Sequence, residues 1–192
     1  VAIQRAFQTV LAHLPQARQF LKKHIGNIIF AFLIVFIVYQ RWPSFQANTS
    51  LESTKLPNVP LQTLDGQLLM LAQDFPKPLV IVGWSTWCVP CKVEMQRIER
   101  SIKNGNISAK HVLGINLGEP LATVLTHVKD EKISFPVAVD STGAFAEQMK
   151  LSITPTLYLV NEENEVTWAS SGVGITEIWR IEAHLKNTLS TD

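Results

Sequence analysis

The chain has only two cysteines, which excludes a fold held by many disulfide staples, as small secreted scaffolds are. It has no acidic residue in its first 42 positions, where Arg5, Arg18, Lys22, Lys23 and Arg41 carry the charge. Beyond them it lacks any excess of positive charge. The remaining 150 residues hold 12 basic and 16 acidic groups, a formal −4, so the composition gives no electrostatic footprint for nucleic acid. Internal repeats and low-complexity tracts are missing too. Nine glycines, ten prolines and 46% hydrophobic residues leave no room for global disorder. A length of 192 residues accommodates one ordinary domain plus an attachment segment.

The attachment segment comes first. Ile25–Gln40 reads IGNIIFAFLIVFIVYQ, a charge-free and mostly large apolar run. As a helix it is about 24 Å long, slightly short of a hydrocarbon core. Lys22, Lys23 and Arg41 can snorkel at its rims, and Tyr39 and Trp42 suit the interfacial belt. The expectation is a transmembrane anchor over 25–42, retained because RWPSFQAN offers no small-x-small cleavage site. More Lys and Arg precede the run than follow it, which puts residues 1–24 in the cytoplasm and the rest outside. Residues 1–24 read either as an amphipathic helix on Ile3, Phe7, Val10, Leu11 and Leu14, ended by Pro15, or as an inert tail. Residues 43–56 are polar and aperiodic, a linker. The domain occupies 57–192.

Inside the domain, strand and helix signals alternate. Leu61, Leu64, Leu68, Met70 and Leu71 flank an Asp65–Gly66 turn and suggest a hairpin. PLVIVGW (78–84) is continuously apolar, a strand covered on both faces. After Pro90 the helical period places Cys91, Met95, Ile98 and Ile102 inward. HVLGIN (111–116) predicts a strand and 119–130 a helix with Leu121, Val124, Leu125 and Val128 inward. PVAVD (136–140) predicts a strand and 143–150 a short helix. Strands 156–160 and 166–169 flank the polar turn 161–165, and 176–189 predicts a last helix bearing Ile178, Ile181, Leu185 and Leu189. This order implies an α/β fold, a mixed central sheet flanked by helices and preceded by the anchor.

Both cysteines fall in one unit, Cys88-Val89-Pro90-Cys91, at a strand-to-helix junction. Cys88 lies near the N-cap, where free backbone N–H groups and the helix dipole favour a thiolate. Cys91 is one turn in, within reach of a mixed disulfide formed at Cys88. Pro90 starts the helix without wasting a donor. Structural zinc needs about four ligands, and the five histidines show no ligand spacing; covalent haem needs a histidine after Cys91, where Lys92 stands. The pair therefore reads as redox-active, with no other cofactor. Glu94 shares the side of the helix with Cys91 and is either a proton acceptor with a pKa raised by desolvation or a solvated surface acid. Thr154–Pro155 is either an ordinary trans bond before a strand or a cis bond that turns Thr154 toward Cys88 to meet an extended substrate.

The segment WSTWCVPCKVE (84–94), the GIN strand end at 114–116, FPVAVD (135–140) and ITPTLYLVNEENEV (153–166) resemble the membrane-tethered thioredoxin-like proteins of the TlpA/ResA group, which includes DsbE (CcmG). The resemblance covers about 57–189. It implies a thioredoxin-like fold with Cys88 as exposed nucleophile, Cys91 as resolving thiol, Glu94 as buried acid and Pro155 as a cis-proline. Cytosolic thioredoxins have an aspartate where this chain has Val82, and Glu94 resembles its substitute. Trp87, Val89, Pro90 and Thr154 are the expected substrate contacts. The function expected is a monomeric protein-disulfide oxidoreductase on the outer side of a bacterial inner membrane. It would reduce disulfides of secreted proteins or apocytochrome c and be recharged by a membrane donor of the DsbD/CcdA type. A thiol oxidase or isomerase of the same fold, or a non-catalytic thiol- or copper-binding module, is the alternative.

Overall fold

A computed structural model describes residues 26–27, 29–36 and 53–189. Residues 29–36 are helical (α1), and Ile29, Phe30, Phe32, Leu33, Ile34, Val35 and Phe36 in it are exposed. Among the described residues no helix is long and apolar enough to cross a membrane. Of the expected anchor (25–42), residues 26–27 and 29–36 are described; its remaining positions, the segment 1–24 and most of the linker (43–56) lie outside the described residues.

The domain is built on a seven-stranded mixed sheet. Its elements are β1 (Pro60–Thr63), β2 (Leu68–Met70), α2 (Leu71–Asp74), β3 (Leu79–Trp84), α3 (Val89–Lys103), β4 (Val112–Asn116), α4 (Leu121–Asp130), β5 (Val137–Val139), α5 (Ala144–Gln148), β6 (Thr156–Val160), β7 (Val166–Ser171) and α6 (Glu177–Leu189). The strand order is β2-β1-β5-β4-β3-β6-β7. β3, β4 and β5 run parallel, while β6 and β7 on one side and β1 and β2 on the other pair antiparallel. The hairpin expected around Asp65–Gly66 is present, and its first strand caps the far edge of the parallel trio. α2 was not expected: Leu71 leaves the hairpin to begin a single helical turn and is fully buried there.

The period-two alternation of β3 divides the core. Val80, Val82 and Trp84 face one apolar layer with Met95 and Ile98 of α3, Val124 of α4, and Ile181 and Leu185 of α6. Leu79 and Ile81 face the other, with Leu113, Ile115, Phe145, Met149 and Tyr158. Every residue of β3 is buried, as a strand covered on both faces must be. Of the four residues expected inward on α4, only Val124 is fully buried; Leu121 and Val128 pack against the core from partly covered positions. β7 runs two residues beyond the expected strand, to Ser171, because it pairs with β6 as far as Thr156.

The C-terminal ends of β3 and β4 meet the start of α3 at one end of the strands. Trp84 ends β3 opposite Asn116 of β4. Its indole lies across β4 where Gly114 has no side chain: a Cβ there would sit 3.1 Å from Trp84 Nε1 and 3.2 Å from the Phe135 ring.

Candidate active site

Cys88 is the N-cap residue of α3, with extended backbone (φ −84°, ψ 98°) and Pro90 in the first turn. Its backbone N–H donates to the Ser85 carbonyl at 3.2 Å, and its own carbonyl accepts from Lys92 N at 3.2 Å. The Cys91 N–H donates to Cys88 Sγ at 3.2 Å. The same N–H also reaches the Cys88 carbonyl at 3.1 Å, so the helix start shares this donor between carbonyl and sulfur, an environment that favours negative charge on the sulfur. The two sulfurs are bonded to each other, with Cα atoms 5.2 Å apart. This is a redox-active disulfide and the chain's cofactor.

Exposure around the pair is uneven. Cys91 is fully buried and Cys88 retains 5% of its surface, whereas Trp87 and Val89 on either side of Cys88 are each 74% exposed. Cys88, expected as the exposed cysteine, is thus nearly as enclosed as Cys91 in the disulfide form. Both cysteines pack into the core layer that holds Met95 and Ile98. Pro90 is exposed and Thr154 half-buried. The Thr154–Pro155 bond is cis, as is Lys77–Pro78, which the sequence did not flag. Pro155 is buried, and its carbonyl accepts from Gly172 N at 2.7 Å, tying this bend to the end of β7.

Glu94 is fully buried. Its Oε2 meets Arg97 Nη1 at 2.9 Å, and among the described residues its Oε1 has no hydrogen-bond partner. Burial pushes its pKa up, a tendency the Arg97 charge opposes and the nearby Glu177 carboxylate reinforces. The solvated alternative for Glu94 is therefore excluded. A carboxyl whose pKa is raised, with one open oxygen on the side of the helix that carries Cys91, is suited to exchange a proton.

Three polar groups nearby escaped the sequence reading. Glu119 accepts from Thr86 N at 2.7 Å, Thr86 Oγ1 at 2.5 Å and Asn116 Nδ2 at 2.6 Å. It thereby clamps the turn before Cys88 to the end of β4. Burial opposes its ionisation, but the bonds from Thr86 and Asn116 and the charge of His127 outweigh this and hold its pKa below the ordinary value. The His127 ring in turn packs at 5.3 Å, tilted by 33°, on the Trp84 ring. Arg97 reaches from α3 to the carbonyls of Gly174 (2.6 Å) and Ile175 (3.3 Å). Only Arg97 had a local signal, its i,i+3 spacing from Glu94. Glu119 and Thr86 are 33 positions apart, and nothing in the sequence joins them.

The Redoxin family model matches residues 51–189 of the chain. The thiol-disulfide oxidoreductase ResA of Bacillus subtilis (strain 168) is 27% identical over 121 residues, 63% of this chain and 68% of that protein. ResA of Halalkalibacterium halodurans is 28% identical over 151 residues, 78% of this chain and 85% of its own length. Among solved structures, a thio-disulfide isomerase from Thermus thermophilus superposes with a TM-score of 0.58 at 24% identity, covering 71% of this chain and 97% of that one. That likeness establishes the thioredoxin-like fold independently of the motif. With fold, disulfide and sequence relatives in agreement, the chain belongs to the Redoxin family and is a thiol–disulfide oxidoreductase similar in sequence to ResA.

Proposed function

We propose that this protein is a membrane-tethered reductase of protein disulfides outside the cytoplasmic membrane, with Cys88 as nucleophile and Cys91 as resolving thiol. The observation that carries the assignment of roles is the position of Cys88 Sγ. It caps α3 and accepts the Cys91 N–H, while the Cys91 side chain is wholly enclosed.

In the reduced enzyme the Cys88 thiolate attacks one sulfur of a substrate disulfide. A mixed disulfide forms and one substrate thiolate leaves, taking a proton from solvent. Cys91 then gives its proton to Glu94, and the resulting thiolate attacks Cys88 Sγ. The Cys88–Cys91 bond forms, the second substrate sulfur leaves as thiolate, and the substrate gains the two electrons the enzyme loses. The raised pKa of Glu94 suits this transfer, because a more basic carboxyl takes a thiol proton more readily. Trp87, Val89, Pro90 and the Thr154–Pro155 bend would contact the substrate chain around the exchanging sulfurs.

The apolar run 25–42 would span the membrane with residues 1–24 inside, and 43–56 would link it to the catalytic domain. That arrangement supports action on secreted proteins, apocytochrome c being one candidate class. A membrane dithiol donor of the DsbD/CcdA type would restore the dithiol, and the tether would raise the effective concentration of the two partners. The same atoms run the exchange in either direction, so potential decides. Redox titration is expected to place Cys88–Cys91 near the reducing end of the thioredoxin superfamily. A value near −120 mV, that of a strong oxidant, would assign an oxidase instead. A Cys91→Ala variant is expected to hold its physiological partner on Cys88 as a mixed disulfide. Recovery of no such adduct, with Cys88 still reactive, would refute the mechanism.

A further inference from the structure

Arg97 and Glu177 have no part in the exchange chemistry, yet both act on the environment of Glu94. Arg97 spends its guanidinium on three acceptors at once: Glu94 Oε2 and the carbonyls of Gly174 and Ile175. It thus ties the buried acid of α3 to the loop between β7 and α6, 77 positions away. Ile175, whose carbonyl Arg97 holds, is the most exposed large apolar residue of the domain at 95%. Glu177 opens α6, is 5% exposed and accepts from Ser170 Oγ at 3.2 Å through Oε1. Its Oε2 is buried, with no hydrogen-bond partner among the described residues. The carboxyl lies against the Gly174 α-carbon so closely that a Cβ there would collide with it. The residue whose carbonyl anchors Arg97 is therefore the residue on which Glu177 rests.

We propose that Arg97 and Glu177 are positioning residues for proton transfer. Arg97 holds Glu94 Oε2 so that Oε1 is left as the open acceptor beside Cys91, and Glu177, seated on Gly174, supplies an opposing negative charge that keeps this acceptor basic. This rests on the role given to Glu94 above. The charged groups facing Glu94 are Arg97 from its own helix and Glu177 from α6, with the cysteine pair one turn toward the helix start. The two neighbours pull in opposite directions. A guanidinium favours the carboxylate form of Glu94, and a second carboxylate disfavours it. Without Arg97 the acid would be more reluctant to ionise and free to turn away from Cys91. Without the charge of Glu177 it would ionise more easily and be a poorer base.

The test uses the full chain with its glutamate side-chain carboxyl carbons isotope-labelled, and follows the Glu94 resonance by NMR against pH in the oxidised protein. Arg97→Met is expected to move the Glu94 titration to higher pH, Arg97→Lys to bring it most of the way back, and Glu177→Gln to move it to lower pH. Simple loosening of the loop would admit water and move both variants downward. Shifts in one shared direction, or no shift in either variant, would overturn the proposal. The kinetic counterpart is the second thiol released when reduced enzyme meets an aromatic disulfide reagent, which reports resolution by Cys91. On the acid side of its pH profile Arg97→Met should be about three- to tenfold slow, the effect of removing one adjacent charge. A Glu94→Gln variant with an unaltered profile would instead refute the role of Glu94 itself and this proposal with it. A changed Glu94→Gln profile beside unmoved Arg97 and Glu177 titrations would refute this proposal alone.

Discussion

Replacing Glu119 with alanine perturbs the turn that delivers Cys88 to α3. The carboxylate accepts three hydrogen bonds, two from Thr86 and one from Asn116. Asn116 is fully buried, so its amide N–H would be left unpaired in the interior, a cost of ~1–3 kcal/mol. Thr86 is half-buried and can recover solvent, which limits its loss to roughly 0.5–1 kcal/mol. The sum, about 1.5–4 kcal/mol, corresponds to a fall in Tm of roughly 3–16 °C for a chain of this size. Glu119→Gln keeps the shape and part of the bonding and should cost about half as much. The pH dependence carries a definite sign. The pKa of Glu119 is lowered in the folded state, so its stabilisation is present above its unfolded value and lost as pH falls through the folded one. The stability difference between the unmodified chain and Glu119→Gln should therefore be constant near neutrality and shrink below about pH 4.5. Urea unfolding between pH 3 and pH 7 measures this. A loss under 0.5 kcal/mol in Glu119→Ala, or a difference that grows on acidification, would refute the clamp.

Other residues give independent checks. Glu99 is almost fully buried and accepts from Ser134 N at 2.5 Å and from Ser134 Oγ at 2.9 Å; Glu99→Ala should cost about 2–3 kcal/mol in urea unfolding. Gly83 on β3 faces Leu151, into whose side chain a Cβ would run; Gly83→Ala should destabilise by ~1–3 kcal/mol through overpacking. Asp140 accepts from Phe145 N at 3.2 Å and Ala146 N at 2.9 Å at the start of α5. Asp140→Ala should lower stability by about 1–2 kcal/mol, measured the same way. The Lys92–Glu131 pair, 2.7 Å apart but with Lys92 54% exposed, should contribute less than about 0.5 kcal/mol in a double-mutant cycle.

What the chain determines by itself is what depends on neighbours a few positions apart. The Cys88-Val89-Pro90-Cys91 unit after an apolar strand sets a sulfur at a helix entrance, and the helical repeat sets Glu94 on the side of Cys91. The unbroken apolar run PLVIVGW makes a strand buried on both faces, and the Asp65–Gly66 turn makes a hairpin. These follow from dihedral preference, hydrogen-bond geometry and period. Folding in space alone decided which strands became neighbours: the N-terminal hairpin pairs with β5 across the sheet, and the strand order follows from how whole elements pack. It alone brought Glu119 to Thr86, Glu99 to Ser134, and Arg97 to Gly174. Each of these pairs spans 33 to 77 positions, and a polar residue in a loop or on a helix surface has the same local signature with or without a distant partner. The burial that raises the pKa of Glu94 is likewise a property of the packed layer. The helix puts the carboxyl on the right side, and the enclosing core and α6 take it out of water.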